Sequence, residues 1–119
     1  MSGGECHNPS MWIFARKGFV SIVRHKSEPD SFLMRARTAE DLEAVLAVAG
    51  VDVRRIESPL ADYRFRAFLS REQLGQVMAA LADTIDYTNF KSAVAADGAD
   101  AARLHAYHTV WHAMQALQR

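Results

Sequence analysis

The sequence predicts an α+β domain, an antiparallel sheet of about five strands covered on one face by helices, as a ferredoxin-like or related two-layer sandwich. Two observations carry that prediction. Short runs rich in β-branched and aromatic residues fill the chain before Ser70, and two of them alternate apolar with charged residues. Capped stretches of helical periodicity follow the strand groups and fill the remainder. The resulting element order is β-β-β-α-β-β-α-α-α.

Residues 1–10 carry Gly3-Gly4 and Asn8-Pro9 without periodicity, so they are expected to form a disordered tail. The apolar pattern starts at Met11, a candidate native start, and residues 11–119 are expected to form one domain. Residues 12–15 and 19–23 flank Arg16-Lys17-Gly18, the signature of a hairpin whose glycine supplies a positive φ. After a loop with Pro29 and Asp30, the third strand alternates. Phe32, Met34 and Ala36 face one way, and Leu33, Arg35 and Arg37 the other. Thr38 reads as the N-cap of the first helix, with Asp41 at N3 and Gly50 as its left-handed stop. That helix is expected to bury Leu42, Val45, Leu46 and Ala49.

Residues 51–57 and 63–69 read as a second strand pair across Ser58-Pro59-Leu60-Ala61. In the latter strand Tyr63, Phe65, Ala67 and Leu69 point inward, while Arg64, Arg66 and Phe68 point outward. Ser70-Arg71-Glu72-Gln73 is a capping box, and the helix it opens presents Leu74, Val77, Met78, Leu81 and Ile85. Asp86 is the expected cap of a short helix through Phe90 and Val94. Asp97-Gly98 breaks it, and Asp100 starts a last helix running to about Leu117.

Composition narrows the function classes. The chain has 119 residues, 50% of them hydrophobic and 24% charged, which is ordinary globular usage. A single cysteine, Cys6, permits no internal disulfide and makes a thiol-based metal site unexpected. No apolar run approaches the ~20 residues of a membrane span, and no secretory signal precedes the domain, so the expected address is the cytoplasm. Zero net charge argues against a protein that coats nucleic acid along its whole surface.

That neutrality hides an asymmetry. In the first three strands Arg16, Lys17, Arg24, Lys26, Arg35 and Arg37 face only Glu28 and Asp30. In the second pair Arg54, Arg55, Arg64 and Arg66 face Glu57 and Asp62. Acids predominate in the helices. With helices on one face, the other carries Arg35, Arg37, Arg64 and Arg66 with Phe68 beside them. Guanidinium forks suit phosphate and carboxylate, and an exposed aromatic on a sheet suits a stacked base. The same residues also fit an ordinary solvated strand face, paired across the ladder with Glu57 or Asp62. The expected partner is an acidic protein or a nucleic acid.

The last helix carries a second candidate. His105, His108 and His112 fall within roughly 60° of arc at ~100° per residue, nearly opposite Tyr107, Val110, Trp111, Met114 and Leu117, which should be the buried side. Two imidazoles four residues apart suit one metal ion, although Thr109 stands where a zinc-protease motif needs glutamate. A metal-dependent or histidine-based enzyme is therefore the alternative reading, beside a plain solvated helix face. Asn89 and Lys91 are a weaker ligand-binding candidate at a helix start. No nucleophile elbow or glycine-rich phosphate loop is present, and no cofactor is expected. A homodimer pairing sheet faces is a third reading, opposed by the repulsion of four arginines.

Met11-Trp12-Ile13-Phe14, Gly18-Phe19-Val20-Ser21-Ile22-Val23 and Leu33-Met34-Arg35-Ala36-Arg37 carry a resemblance that continues in Ala61-Asp62-Tyr63-Arg64-Phe65-Arg66, Ile85-Asp86-Tyr87-Thr88-Asn89-Phe90-Lys91 and Tyr107-His108-Thr109-Val110-Trp111. On these stretches the chain resembles a family of small, uncharacterised bacterial and phage proteins that begin Met-Trp-Ile-Phe and have no established activity. The resemblance implies a bacterial cytoplasmic setting and a start at Met11. It carries over no catalytic residue.

Overall fold

The computed structural model describes residues 10–118, so nearly all of the expected tail, with Glu5, Cys6 and His7, lies outside the described residues. The chain divides into two compact units, Met1–Ile85 and Asp86–Arg119. In the first, strands β1 (Met11–Ala15), β2 (Gly18–Arg24) and β3 (Ser31–Ala36) lead into helix α1 (Ala39–Val48). Strands β4 (Ile56–Glu57) and β5 (Phe65–Ser70) and helix α2 (Arg71–Asp83) follow. The second unit holds helices α3 (Phe90–Ala96) and α4 (Ala101–Met114), the latter ending in a 3-10 turn, Gln115–Leu117.

The sheet has five strands in the order β1-β2-β3-β5-β4, every neighbouring pair antiparallel. Its registers put Ile22, Met34 and Ala67 in one row across the three central strands. Because side chains alternate along a strand, Val20, Ile22, Met34, Ala36, Ala67 and Leu69 share one face. They pack there against Leu42, Val45 and Leu46 of α1 and Val77 and Leu81 of α2. This is the α+β sandwich that the alternation predicts, with the charged positions of β3 and β5 left on the face opposite α1 and α2.

Capping follows the sequence closely. Thr38 accepts the N–H of Asp41, and Ser70 with Gln73 forms the full capping box. Gly50, at φ 66°, closes α1 with Gly50 N–H donating to Ala47 O and Val51 N–H to Leu46 O, a Schellman pair. Asp100 caps α4 by accepting from Arg103 N–H.

Four expectations are corrected. Only Ile56 and Glu57 pair in the stretch expected as a strand at 51–57. Val51 has already given its N–H to the end of α1, and Val51 and Val53 pack against the core without a ladder partner. The cap of α3 is Asn89, not Asp86: Asn89 Oδ1 accepts from Ser92 N–H at 2.9 Å. Met78 on α2 and Ile85 beyond its end are exposed. On α4 the expected apolar side is not buried: Trp111, Met114 and Leu117 are exposed, and the helix has no buried residue.

Asp41 does more than occupy N3. Its side chain is buried and accepts the N–H of Phe19 at 2.9 Å, clasping the β1–β2 hairpin to the start of α1. Gly18 permits the approach, because a Cβ there would lie 2.9 Å from Asp41 Cγ and 3.0 Å from Asp41 Cα. The backbone atom cannot rotate away. Gly18→Ala is therefore expected to destabilise the protein by about 1–3 kcal/mol, the usual cost of overpacking. Thermal unfolding checks it, and a melting temperature equal to wild type would mean that the clasp is loose.

Candidate functional site

The face opposite α1 and α2 is built from two halves. Toward β1 it is aromatic. Phe14 stacks on Phe19 with centroids 4.5 Å apart, and Trp12 meets both rings edge-on. Phe19 in turn meets Tyr63 at 6.3 Å. Toward β5 the face is cationic, and Tyr63 sits at the junction.

Tyr63 was expected to point into the core beneath the helices. It is instead buried on this opposite face, in the turn before β5, with the guanidinium carbons of Arg35 and Arg37 at 4.6 and 4.4 Å from its ring centroid. The alternation that holds for Phe65, Ala67 and Leu69 does not extend back to Tyr63, because β5 begins only at Phe65. Cation–π attraction over a ring screened from water holds both arginines in place.

The registers then set the charges. Arg35 lies directly across from Arg66 and, on its other side, from Ser21. Arg35 Nη2 donates to Ser21 Oγ at 2.8 Å, and Arg66 Nε donates to Tyr63 O at 3.2 Å. Arg35 Nε is buried with no hydrogen-bond partner. A buried donor left unmet costs on the order of 1–3 kcal/mol. Like charges facing each other across a ladder are also destabilising. Among the described residues no carboxylate pairs with Arg35, Arg37 or Arg66, whereas Arg55 pairs with Glu43, Arg64 with Glu57 and Arg71 with Asp30.

The expected arginine set is thus sorted by the fold. Arg35, Arg66 and Phe68 line one depression of about 660 Å³, together with Val23, Arg24, His25, Lys26 and Leu33. Its lining contains no acid. Arg37 and Arg64 stand outside it: Arg37 Nη1 donates to Asp62 O at 2.8 Å, and Arg64 is bound to Glu57 at 2.8 Å. Phe68 is 44% exposed, and the His25 ring stands 5.4 Å from it. His25 is fixed by its loop. Its Nδ1 accepts the N–H groups of Ser27 at 3.1 Å and Glu28 at 3.2 Å, which leaves the proton of the neutral ring on Nε2.

Arg24 and Lys26 count in the charge asymmetry, and neither they nor His25 belong to the expected site. Residues at the end of a strand have no reliable facing from alternation alone. The pairing of β2 with β3 ends at Arg24, across from Phe32, and the chain folds back to Ser31, where His25 N–H donates to Ser31 O at 2.7 Å; that return brings His25 and Lys26 to the depression.

The second candidate lies on the surface of α4. His105, His108 and His112 are exposed on α4, and His108 stacks on Trp111 with centroids 5.6 Å apart. Among the described residues no group of three or more His, Cys, Asp or Glu is placed to hold a metal ion. Asn89 caps α3, and Lys91 lies 5.5 Å from the Trp111 centroid, so both have structural roles. No described helix is long and apolar enough to cross a membrane. No protein-family model, curated protein or solved structure matches this chain.

Proposed function

We propose that this protein is a small cytoplasmic binding module that takes an anionic partner, an acidic protein surface or a nucleic acid, on the sheet face opposite α1 and α2. One observation carries the reading: Arg35 and Arg66 face each other across the β3–β5 ladder without a carboxylate to separate them. A stable sheet has no use for that pair. An incoming anion relieves the repulsion and gains two forks that are already oriented, so less side-chain freedom is lost on binding. The bacterial setting is that of the family the sequence resembles.

The test is retention of the full chain on matrices bearing poly-glutamate or single-stranded DNA, eluted with salt. Wild type is expected to be held on at least one of them. Arg66→Glu combined with Lys26→Glu is expected to elute at much lower salt, since attraction between exposed charges is screened over roughly 8 Å at physiological ionic strength. Thermal stability should not fall, because the first change sets a carboxylate across from Arg35. Passage of wild type through both columns, or identical elution of the variant, overturns the reading.

A further inference from the structure

The chemistry around Phe68 distinguishes between the two anionic partners. Cations alone can meet an acidic protein surface, whereas a stacked base also requires a ring face. This depression offers an aromatic ring as well: Phe68 is 44% exposed in a strand next to the center of the sheet, with Val23 and Leu33 apolar beside it. Lys26, Arg35 and Arg66 line the same depression, the last two held in place by Ser21 and Tyr63. On its other side Phe68 borders a second depression of about 550 Å³, lined by Ser27, Glu28, Pro29, Asp30, Ser31, Leu69 and Ser70. Asp30 there accepts from Arg71 Nε at 3.2 Å, while the Glu28 carboxylate repels phosphate and suits the N–H edge of a base. A nucleotide unit has this same polarity, with charge at one end, a flat ring in the middle and donors at the far edge.

We infer that the occupant of this face is single-stranded nucleic acid, with a base stacked on Phe68 and the phosphates of its backbone on Lys26, Arg35 and Arg66. The inference rests on the anion-binding reading above and names its ligand. A duplex keeps its bases stacked on one another and presents none to Phe68, so single strands are preferred. Trp12 extends the surface. It is 56% exposed in β1, in the register row that runs through Ser21, Arg35 and Arg66, and offers a second ring on the far side of the arginines.

The experiment is fluorescence anisotropy with a labelled twelve-nucleotide single strand, the matching duplex and labelled poly-glutamate, using the full chain. Wild type is expected to bind the single strand more tightly than the duplex. Phe68→Ala is expected to weaken single-strand binding by about tenfold or more, within the range measured for the loss of one base–aromatic stack, and to leave poly-glutamate binding unchanged. Phe68→Tyr should restore most of the affinity, which a merely structural role for the phenyl group at this exposed site would not require. Arg66→Glu should lower the slope of log affinity against log salt by about one. Single-strand binding that Phe68→Ala leaves untouched, or equal binding of duplex, overturns the inference. Poly-glutamate binding alone, lost in Arg66→Glu, also overturns it while leaving the anion-binding module standing. Binding to no probe removes both.

Discussion

Met34→Ala is expected to lower the unfolding free energy by about 2–5 kcal/mol, the range for emptying a well-packed core position of a large aliphatic side chain. Met34 has no solvent exposure and lies in β3, the middle strand of the sheet, between Ile22 and Ala67. Both helices of the first unit close over its face, so surrounding groups have little room to collapse into the space vacated. Against a total stability of 5–15 kcal/mol for a typical domain, the loss is large. Met34→Leu, which nearly conserves volume, should cost less than about 1.5 kcal/mol. Urea unfolding measures both. A loss below about 1 kcal/mol for the alanine variant would mean that the sheet–helix core is not centred on β3.

Much of this core was legible because it is written in period two. In β3 and β5 every second residue is apolar, and Phe32, Met34, Ala36, Phe65, Ala67 and Leu69 all face α1 and α2 or their margins. Helix ends were legible for a similar reason: Thr38, Gly50, Ser70 and Asp100 act on backbone groups a few residues away, so local sequence determines them. What failed were inferences that needed tertiary partners. Residues 51–55 have strand-like composition, but a strand exists only where a neighbour accepts the ladder, and the end of α1 takes the Val51 N–H first. Asp41 reads as a helix-start acid, yet its buried carboxylate serves a hairpin 22 positions back in the chain. The apolar arc of α4 predicts burial only if something covers it, and periodicity does not say what does.

The candidate site divides along the same line. The facing of Arg35, Arg66 and Phe68 followed from alternation, but their convergence depends on the β3–β5 register, which no single strand encodes. A slip of two residues would keep the same face and separate Arg35 from Arg66. Arg37 and Arg64 have the right parity and still stand apart, one tied to Asp62 O and the other to Glu57. Parity placed the side chains; partners decided which remained available.

Tyr63 connects the fold to the site, and its removal is expected to damage both. The side chain is 4% exposed, against Phe19, Arg35 and Arg37, and its carbonyl accepts from Arg66 Nε. Tyr63→Ala should destabilise the protein by about 3–5 kcal/mol, as for other buried aromatic truncations, and should also lower anion affinity at temperatures where the variant is still folded. The affinity falls because the Arg35 guanidinium loses the ring beneath it and regains rotamer freedom that binding must then remove. Tyr63→Phe keeps the ring and should keep both properties, while Tyr63→Leu refills the volume without a π face. Leucine should therefore recover much of the stability and little of the affinity. Measuring unfolding and poly-glutamate or oligonucleotide binding on all three variants separates the two roles. If affinity tracks stability across alanine, leucine and phenylalanine alike, Tyr63 is a packing residue alone, and the orientation of Arg35 owes nothing to its ring.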